Sequence, residues 1–447
     1  MFHEKRIKKY EGTQKEGKYI LYWVHASPRC NFNPALELAI KKSIQMKLPL
    51  LIIFIIDENY IGSNYRHFKF LIEGLENFKK DLRDRGLNLK LFIGEPVKII
   101  NSLKKKASII ITDKNYIGPQ KEWLNKILED LRCSLYVVET NVSVPVEEVS
   151  DKEEYSAATF RRKYWKLAGD YIDSERDETK NCTNFSEKIE GEVDFENSEK
   201  ILDKLKTFKN IFPGKLKGGH SFALNELKDF IKKKFDLYSE ERNDPSKNCS
   251  SNMSPYLHYG QISPLEIVKT IRESNKENSE DFFEELLIRR ELAINFCYYN
   301  QNYYNFNGLN DWAKKTLNEH KKDEREYHYT KEEFENARTH DIYWNSAQIE
   351  MVKTGKMNGY MRMYWGKKIL EWSSSPEEAI ETAIKLNDKY ELDGRDPNGY
   401  TGVMWCFGKH DRAWAERKVY GKIRYMNSNG LERKFNMEIY LKRIKEL

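Results

Sequence analysis

The sequence has little cysteine, and its six cysteines are scattered over 447 residues. They stand at positions 30, 133, 182, 249, 297 and 406, without a CxxC pair or a Cys/His cluster. This pattern gives no basis for a disulfide framework or a zinc site, so we expect reduced thiols and no metal.

The chain also lacks a long apolar run. Its longest one, residues 50–56, has the length of a strand, whereas a membrane-spanning helix needs about 20 apolar residues. Residues 1–6 contain no apolar segment of a secretory signal. We therefore expect a cytoplasmic protein that makes no contact with a membrane.

A strong excess of one charge is absent as well, since the sequence contains 76 Lys and Arg and 70 Asp and Glu. The distribution is nevertheless uneven. Residues 401–447 carry 11 basic against 5 acidic side chains, and residues 171–200 carry 4 against 10. The basic end fits a polyanion such as nucleic acid, and a solvated basic helix is the open alternative.

The first 140 residues alternate strand and helix patterns. The expected strands are 19–25, 50–57, 87–93, 107–113 and 134–140, with helical patterns between them. This order predicts an α/β domain with a five-stranded parallel, Rossmann-like sheet covered on both faces. Neither GxGxxG nor GxxxxGK[ST] follows a strand, so the usual phosphate-binding loop is missing.

The rest of the chain is expected to be mostly helical. We predict an α/β domain at 1–140, a connector at 141–214 whose acidic stretch 171–200 loops out, and a large all-α domain at 215–447. Within that domain, residues 281–300 and 357–372 carry strong helical patterns, and a helix is expected from 405 onward. The Gly/Asp/Asn-rich residues 387–399 predict a long loop.

Four clusters in the helical part carry candidate chemistry. Residues 250–254 offer hydroxyl and backbone groups for a phosphate, or Ser254 simply caps a helix. Residues 284–291 hold carboxylates and arginines that form either an i,i+4 network or a wall of a cavity. Trp365 and Trp372 lie about 10.5 Å apart along one helix face, as core residues or as an electron relay. Residues 410–426 interleave arginines with aromatics, which suits contact with a disturbed duplex.

Together these stretches resemble the photolyase/cryptochrome flavoproteins and are most similar to the class II cyclobutane pyrimidine dimer photolyases. The matching segments are RNDP at 242–245, SSNMSPYLHYGQISP at 250–264, FFEELLIRRELAINFCYY at 282–299, MNGYMRMYWGKKILEW at 357–372, LDGRDPNGYTGVMW at 392–405 and HDRAWAERKVYGKIRYMN at 410–427. The segment VPVEEVSDKEEY at 144–155 resembles that class's interdomain segment. HDRAW and GKIRYMN are the most specific of these matches.

The resemblance implies a non-covalent, reduced FAD in the helical domain and light-driven repair of UV-damaged DNA. Excited FAD would transfer an electron to a flipped-out pyrimidine dimer, which splits and returns the electron. The residues implied for FAD are Tyr238, Ser250, Ser251, Asn252, Met253, Ser254, Arg362, Asn387, Asp393 and Gly394. Among them, Asn387 would lie at flavin N5, and Arg362 and Asp393 would flank the ring.

The resemblance also implies a lesion site and a relay. Glu285, in protonated form, would donate a hydrogen bond to the dimer's carbonyl oxygens. The residues implied for DNA are Arg242, Asn243, Arg289, Met363, Trp405, Arg412, Trp414 and Arg424. Trp365, Trp344 and Trp372 would carry electrons to oxidised flavin, in that order from the flavin outward. The expected protein is a monomer without an obligate protein partner, located at the nucleoid when bound to DNA.

Two departures and three alternatives stay open. Arg289 stands where some members place a tryptophan, and residues 25–30 match only loosely, so a deazaflavin-type antenna competes with none or another chromophore. A cryptochrome-like photoreceptor without repair is the first alternative, and the end of the chain about 20 residues after the last motif counts against it. The others are an enzyme for the pyrimidine–pyrimidone adduct, for which His258 and His340 form no matching pair, and a flavin-free DNA-binding protein.

Overall fold

The computed structural model describes residues 3–13, 16–173, 182–195, 197–205, 211–277 and 279–447. The described strands are β1 Ile7–Tyr10, β2 Tyr19–Val24, β3 Leu50–Ile56, β4 Leu89–Ile93, β5 Ala107–Asp113 and β6 Ser134–Val138. They form one sheet in the order β1-β6-β5-β2-β3-β4. The five expected parallel strands are confirmed as β2 to β6, because each neighbouring pair among them is parallel.

The sixth strand, β1, was not expected from the sequence. Its residues IKKY pair antiparallel with β6, from Ile7 opposite Val138 to Tyr10 opposite Leu135. The strand lies at the edge of the sheet, where polar side chains such as lysine are tolerated and discourage further pairing. A short polar edge strand gives almost no alternation pattern, which is why the hydrophobic pattern did not indicate it.

The helices of the α/β part cover both faces of the sheet. They are α1 Pro34–Met46, α2 Tyr65–Asp84, α3 Pro96–Leu103 and α4 Gly118–Glu129. One buried cluster joins β2 to β5 with α1 and α2, and a second joins the other face with α3 and α4. Strands buried on both faces explain the continuous apolar runs, of which Leu50–Ile56 is fully buried.

The remaining described helices belong to the region predicted as connector and helical domain. They are α5 Val146–Val149, α6 Ala157–Ile172, α7 Ser198–Lys204, α8 His220–Lys233, α9 Tyr238–Glu241, α10 Met253–His258, α11 Pro264–Glu273, α12 Glu280–Phe283, α13 Arg290–Tyr299, α14 Asp311–Glu319, α15 Lys331–Glu335, α16 Ile342–Thr354, α17 Gly359–Trp372, α18 Pro376–Tyr390, α19 Pro397–Cys406, α20 Ser428–Lys434 and α21 Met437–Lys445. This confirms a large helical part, while the domain boundaries stay a prediction. No helix among the described residues is long and apolar enough to cross a membrane.

The acidic stretch 171–200 does not simply loop out. Residues 174–181 and 196 lie outside the described residues, but the part between them follows the sheet. Leu50 exchanges backbone hydrogen bonds with Thr183 and Phe185, and Val193 donates to the carbonyl of Leu91. Phe195 is buried in the sheet's core cluster. The expectation was wrong because a few well-placed aromatics anchor a segment that is acidic on average.

Two further expectations about helices were wrong. The stretch 387–399 is a short loop flanked by helices, because α18 continues to Tyr390 and α19 begins at Pro397. Asp396 caps α19, since its side chain accepts a hydrogen bond from the backbone N–H of Asn398. Conversely, the helix expected from 405 onward ends at Cys406, and the chain is irregular until Ser428. In 387–399, residues that are typical of turns lie in helices or cap them, and this is why the loop is shorter than predicted.

Candidate functional site

The predicted phosphate-binding segment contacts a partly buried lysine. The side-chain ammonium of Lys356 contacts Ser250 Oγ and Asn252 Oδ1. Burial lowers the pKa of Lys356 to about 8. Asn252, in the left-handed conformation at φ 56°, precedes α10, and Ser254 is exposed inside that helix, so Ser254 is not its cap. Lys356 was not expected from the sequence, because 106 residues separate it from Ser250.

Arg362 lies between two carboxylates, only one of which was expected. Its Nη2 is 2.9 Å from Glu391 Oε1 and 3.6 Å from Asp393 Oδ1. Glu391 is 1% exposed, and its burial raises the pKa of its carboxyl to about 8. Among the described residues, Arg362 Nε and Glu391 Oε2 have no hydrogen-bond partner. Buried polar atoms without partners indicate a place for a polar ligand.

Asn387 is held by its neighbour. Its side-chain amide donates to Asp388 Oδ1 at 3.2 Å, and within the described chain no group donates to its own Oδ1. The carboxylate of Asp388 also accepts from the backbone N–H of Arg395 at 2.8 Å and from the Tyr400 hydroxyl at 3.1 Å. A Cβ on Gly399 would lie 2.9 Å from the Asn387 amide nitrogen, so glycine is needed for this close approach.

The three predicted relay tryptophans are in contact. Trp365 and Trp344 have ring centroids 6.4 Å apart and are nearly parallel, and Trp344 and Trp372 have centroids 6.1 Å apart. All three rings are buried. Trp365 Nε1 donates to Gln348 Oε1 at 2.9 Å, and Trp344 Nε1 donates to the carbonyl of Trp365 at 3.0 Å. Trp344 on α16 thus bridges two rings that are seven residues apart on α17.

Two of the residues predicted for the lesion site, Glu285 and Arg289, lie on a π-helical segment, Glu284–Arg289. Glu285 on this segment forms an ion pair with Arg242 at 2.7 Å, and its side chain is 39% exposed. In this ion pair Glu285 accepts from the guanidinium, whereas the role predicted for it at the lesion is that of a donor. Single π-helical turns occur frequently at functional sites because they change the direction of side chains.

Neighbouring helices approach the same region. The amide of Asn358, which caps α17, donates to the carbonyl of Arg242 at 3.5 Å. Asn243 follows Arg242 in the chain, and Met363 and Trp405 are partly buried on α17 and α19, which pack together. Ser251 lies just before α10, Met253 is the first residue of α10, and Gly394 lies in the loop between α18 and α19. These contacts bring Arg242 close to Glu285 and to the start of α17.

The basic and aromatic stretch after α19 forms a compact clamp. Arg412 and Arg424 place their guanidinium carbons 5.0 Å and 4.9 Å from the ring centroid of Trp414. Trp414 is 38% exposed, and its backbone N–H donates to the carbonyl of Lys422. The sequence predicted that these three residues act together, and the structure does bring them together. Cation–π contacts of this kind orient arginines while leaving their N–H groups free for phosphates.

A separate cavity of about 160 Å³ lies where the carboxyl ends of the strands meet the helical part. Its lining includes His25, Tyr60, Trp123, Arg290 and Arg395. Arg290 Nη1 is buried without a hydrogen-bond partner among the described residues, and burial lowers the pKa of His25. An aromatic cavity with an unpartnered guanidinium can accept a flat ligand that carries acceptor oxygens.

The DNA photolyase family model matches residues 20–180. A "Deoxyribodipyrimidine photo-lyase" of Methanothermobacter thermautotrophicus is 45% identical over 452 residues, which cover 100% of this chain and 99% of that protein. The chain belongs to the DNA photolyase family. This membership shows that the photolyase/cryptochrome resemblance of the motifs is real, and FAD binding is a property of this family.

Solved structures agree on the photolyase fold. An archaeal photolyase from Sulfolobus tokodaii, described with two FAD molecules, has a TM-score of 0.69 at 19% identity and covers 96% of this chain and 89% of its own. A Synechocystis cryptochrome has a TM-score of 0.73 at 15% identity, with coverages of 95% and 88%. Since both a photolyase and a cryptochrome share the photolyase fold, the fold does not separate repair from signalling.

Proposed function

We propose that this protein is a light-dependent DNA repair enzyme, a deoxyribodipyrimidine photo-lyase of class II that splits cyclobutane pyrimidine dimers. The observation that carries the proposal is the 45% identity, over the whole chain, to a relative of that name. The alternative, a photoreceptor without repair, is supported only by a fold likeness at 15% identity. Identity spread over the complete length favours a shared activity over a shared fold.

The site fits FAD in two places. Ser250, Asn252 and the ammonium of Lys356 offer donors for a pyrophosphate, together with the hydroxyl of Tyr238 nearby in the chain. At the other end, Arg362 Nε and Glu391 Oε2 are buried without partners, as a heterocycle with donors and acceptors requires. When bound, reduced FAD supplies the light-driven electron that opens the cyclobutane ring and takes the electron back.

The chain's own residues position the reactants. Asn387 offers its unpartnered carbonyl oxygen to an N–H, because its amide nitrogen is occupied by Asp388. Arg362 neutralises negative charge on the bound flavin and is itself held by Glu391 and Asp393. Trp365, Trp344 and Trp372 form a continuous path of ring contacts that joins two positions of α17 through α16. This path serves to reduce oxidised flavin again, and it takes no part in the repair step.

The damaged DNA is the proposed partner. The ring of a pyrimidine dimer has no acidic proton and no leaving group, so side chains alone cannot open it by acid–base chemistry. They can instead hold a flipped lesion, which costs a few kcal/mol of unstacking and less at a damaged site. Glu285 and Arg242 face the dimer's polar edge, with Arg289, Met363 and Trp405 as walls. Arg412, Trp414 and Arg424 fill the gap in the duplex and bind phosphates.

An antenna chromophore of deazaflavin type is part of the proposal. The cavity lined by His25, Tyr60 and Trp123 offers aromatic walls, and Arg290 Nη1 offers an unused donor. A visible absorption band of the purified protein that does not belong to FAD supports it. A protein that contains only FAD after expression with a deazaflavin supply contradicts it.

The experiment that tests the function compares two lesions. Chemically reduced protein is illuminated with an oligonucleotide that carries either a thymine dimer or a pyrimidine–pyrimidone adduct, and FAD content is measured in parallel. We expect loss of the thymine dimer alone. Bound FAD without repair of either lesion would favour the photoreceptor, and protein without FAD would contradict the proposal.

A further inference from the structure

Helix α6 presents an exposed face that the proposed function does not use. On this face Trp165 is 46% exposed, and Arg162 and Lys166 on either side of it are exposed as well. Just before the helix, Tyr155 is 57% exposed. The opposite side of α6, including Phe160 and Tyr164, is buried in the core. Exposed Trp, Tyr and Arg side chains in one patch are typical of interfaces and not of ordinary surface.

The two cations on this face are unpaired, unlike their neighbours in the chain. Arg161 forms two hydrogen bonds with Glu284, and Lys163 forms an ion pair with Glu154. Arg162 and Lys166 have no ion pair or hydrogen bond within the part of the chain that the structure describes. Like charges at i and i+4 of a helix repel each other, so the fold itself does not benefit from this pair.

The face continues directly from the proposed DNA site. Glu284 bridges Arg161 of α6 and Arg289 of the lesion wall, with a distance of 2.9 Å to Arg289 Nε. On the other side, His410 Nδ1 donates to the carbonyl of Tyr155 at 2.9 Å, and His410 is two residues from Arg412 of the clamp. Tyr155, Arg162, Trp165 and Lys166 therefore extend the basic surface that begins at the lesion, and we call them the α6 face.

We propose that the α6 face binds the phosphate backbone of duplex DNA on one side of the lesion. This inference rests on the proposed function, since it needs a lesion held at Glu285 and Arg242. Four residues along a helix span about 6 Å, so Arg162 and Lys166 can neutralise phosphates within about two base steps of each other. The indole N–H of Trp165 and the hydroxyl of Tyr155 supply neutral donors to the same backbone.

The proposal has a specific consequence for salt dependence. Each phosphate neutralised by a cation makes the negative slope of log K against log salt steeper by about 0.9 in duplex DNA. Replacement of Arg162 and Lys166 by glutamine should therefore make this slope shallower by about 1.8 and weaken binding at low salt by about tenfold. The matched control is Lys105→Gln with Lys126→Gln, two exposed lysines of the α/β part that make the same change in net charge.

The test uses the complete protein with its FAD and a duplex that carries one thymine dimer. Binding is measured over a salt series with long arms on both sides of the dimer, and then with either arm shortened to a few base pairs. We expect the double variant to lose affinity on the long duplex, and to differ little from wild type once one particular arm is removed. The control pair should bind like the wild type throughout.

Two results would overturn the proposal. The first is an unchanged slope of the double variant on the long duplex, which would leave the α6 face to a protein partner. The second is an equal loss with either arm removed, because it would mean a general loss of charge and not a contact with one arm. A failure of the proposed function is distinguishable, since wild-type protein would then show no light-driven repair of the same duplex.

Discussion

The carboxylate of Asp388 accepts a hydrogen bond from the side-chain amide of Asn387, with Nδ2 and Oδ1 3.2 Å apart. Because the backbone of Arg395 and the hydroxyl of Tyr400 also donate to Asp388, this carboxylate is fixed before any ligand binds. It determines which end of the amide faces away from it. The oxygen of Asn387 is thereby left to accept a hydrogen bond from the flavin in the proposed function.

The first prediction concerns this pair. Asp388→Ala and Asp388→Asn remove the same charge, but only asparagine keeps an oxygen that can hold the Asn387 amide. A hydrogen bond worth about 1 kcal/mol corresponds to about 20 mV for a two-electron couple. We expect the midpoint potential of bound FAD to be lower in Asp388→Ala than in Asp388→Asn by about this amount. Equal potentials in spectroelectrochemical titrations would contradict the role of Asp388.

The second prediction separates maintenance from repair. Trp365→Phe breaks the stack with Trp344, whose centroid is 6.4 Å away, so photoreduction of oxidised enzyme should fall to background. Repair by chemically reduced enzyme should be nearly unchanged. The control is Trp312→Phe, which changes a partly buried tryptophan outside the relay. Both variants should lose about 1–3 kcal/mol of stability. If photoreduction and repair fell together, Trp365 would have a structural role.

The third prediction addresses the carboxylate at the lesion. Glu285→Leu removes the hydrogen bonds that this side chain makes to the dimer and should lower the repair rate by about 10- to 100-fold, as expected for a bond to a charged group. Glu285→Gln can still donate and should stay within about tenfold of the wild type. Because the ion pair with Arg242 is partly exposed, at 27% and 39%, stability should change by no more than about 1 kcal/mol.

The measurement for Glu285 is the yield of repaired dimer for each absorbed photon in pre-reduced enzyme. Thermal unfolding of both variants serves as the control for stability. Equal loss in the leucine and glutamine variants would contradict the donor role, because glutamine can still donate, and would favour a role through the contact with Arg242.

The fourth prediction concerns Lys356 and pH. Burial lowers the pKa of Lys356 to about 8 in the protein without FAD, and a bound pyrophosphate would raise it. FAD binding is then accompanied by uptake of a proton on Lys356. The affinity for FAD is therefore highest below pH 8 and falls as the pH rises above 8. Lys356→Met should weaken FAD binding by about 10- to 100-fold and remove this pH dependence.

The matched control for Lys356 is Lys353→Met, which changes an exposed lysine three residues earlier on α16. Binding is followed by titration of FAD into protein freed of it, at a series of pH values. An affinity of the wild type that does not change between pH 7 and pH 10, or a pH dependence that Lys356→Met retains, would remove Lys356 from the phosphate site.

The sequence predicted those parts that depend on local pattern. Strands β2 to β6 are mostly apolar segments, and the apolar residues of 357–372 recur at helical spacing, so the hydrophobic pattern indicates both. The edge strand β1 was not predicted, because it is short and polar. The start of α19 was not predicted, because Asp396 followed by Pro397 is typical both of a loop and of a helix cap with proline in the first turn.

The candidate site divides in the same way. Motif residues such as Asn387 and Arg362 could be named because they match a family in sequence. Lys356, Glu391 and Asp388 could not, because their importance lies in contacts made only in the fold. Lys356 meets Ser250 across 106 residues, and a lysine with no partner nearby in the chain gives no signal of burial. Long-range contacts of buried polar groups thus set the limit of the prediction.

The measurement that tests the central claim most directly is a comparison of light with dark. Chemically reduced protein is mixed with a duplex that carries one thymine dimer, and half of the sample is exposed to blue light. The account predicts that the dimer is lost in the illuminated half alone. Equal amounts of dimer in both halves, with FAD bound in stoichiometric amount, would contradict it.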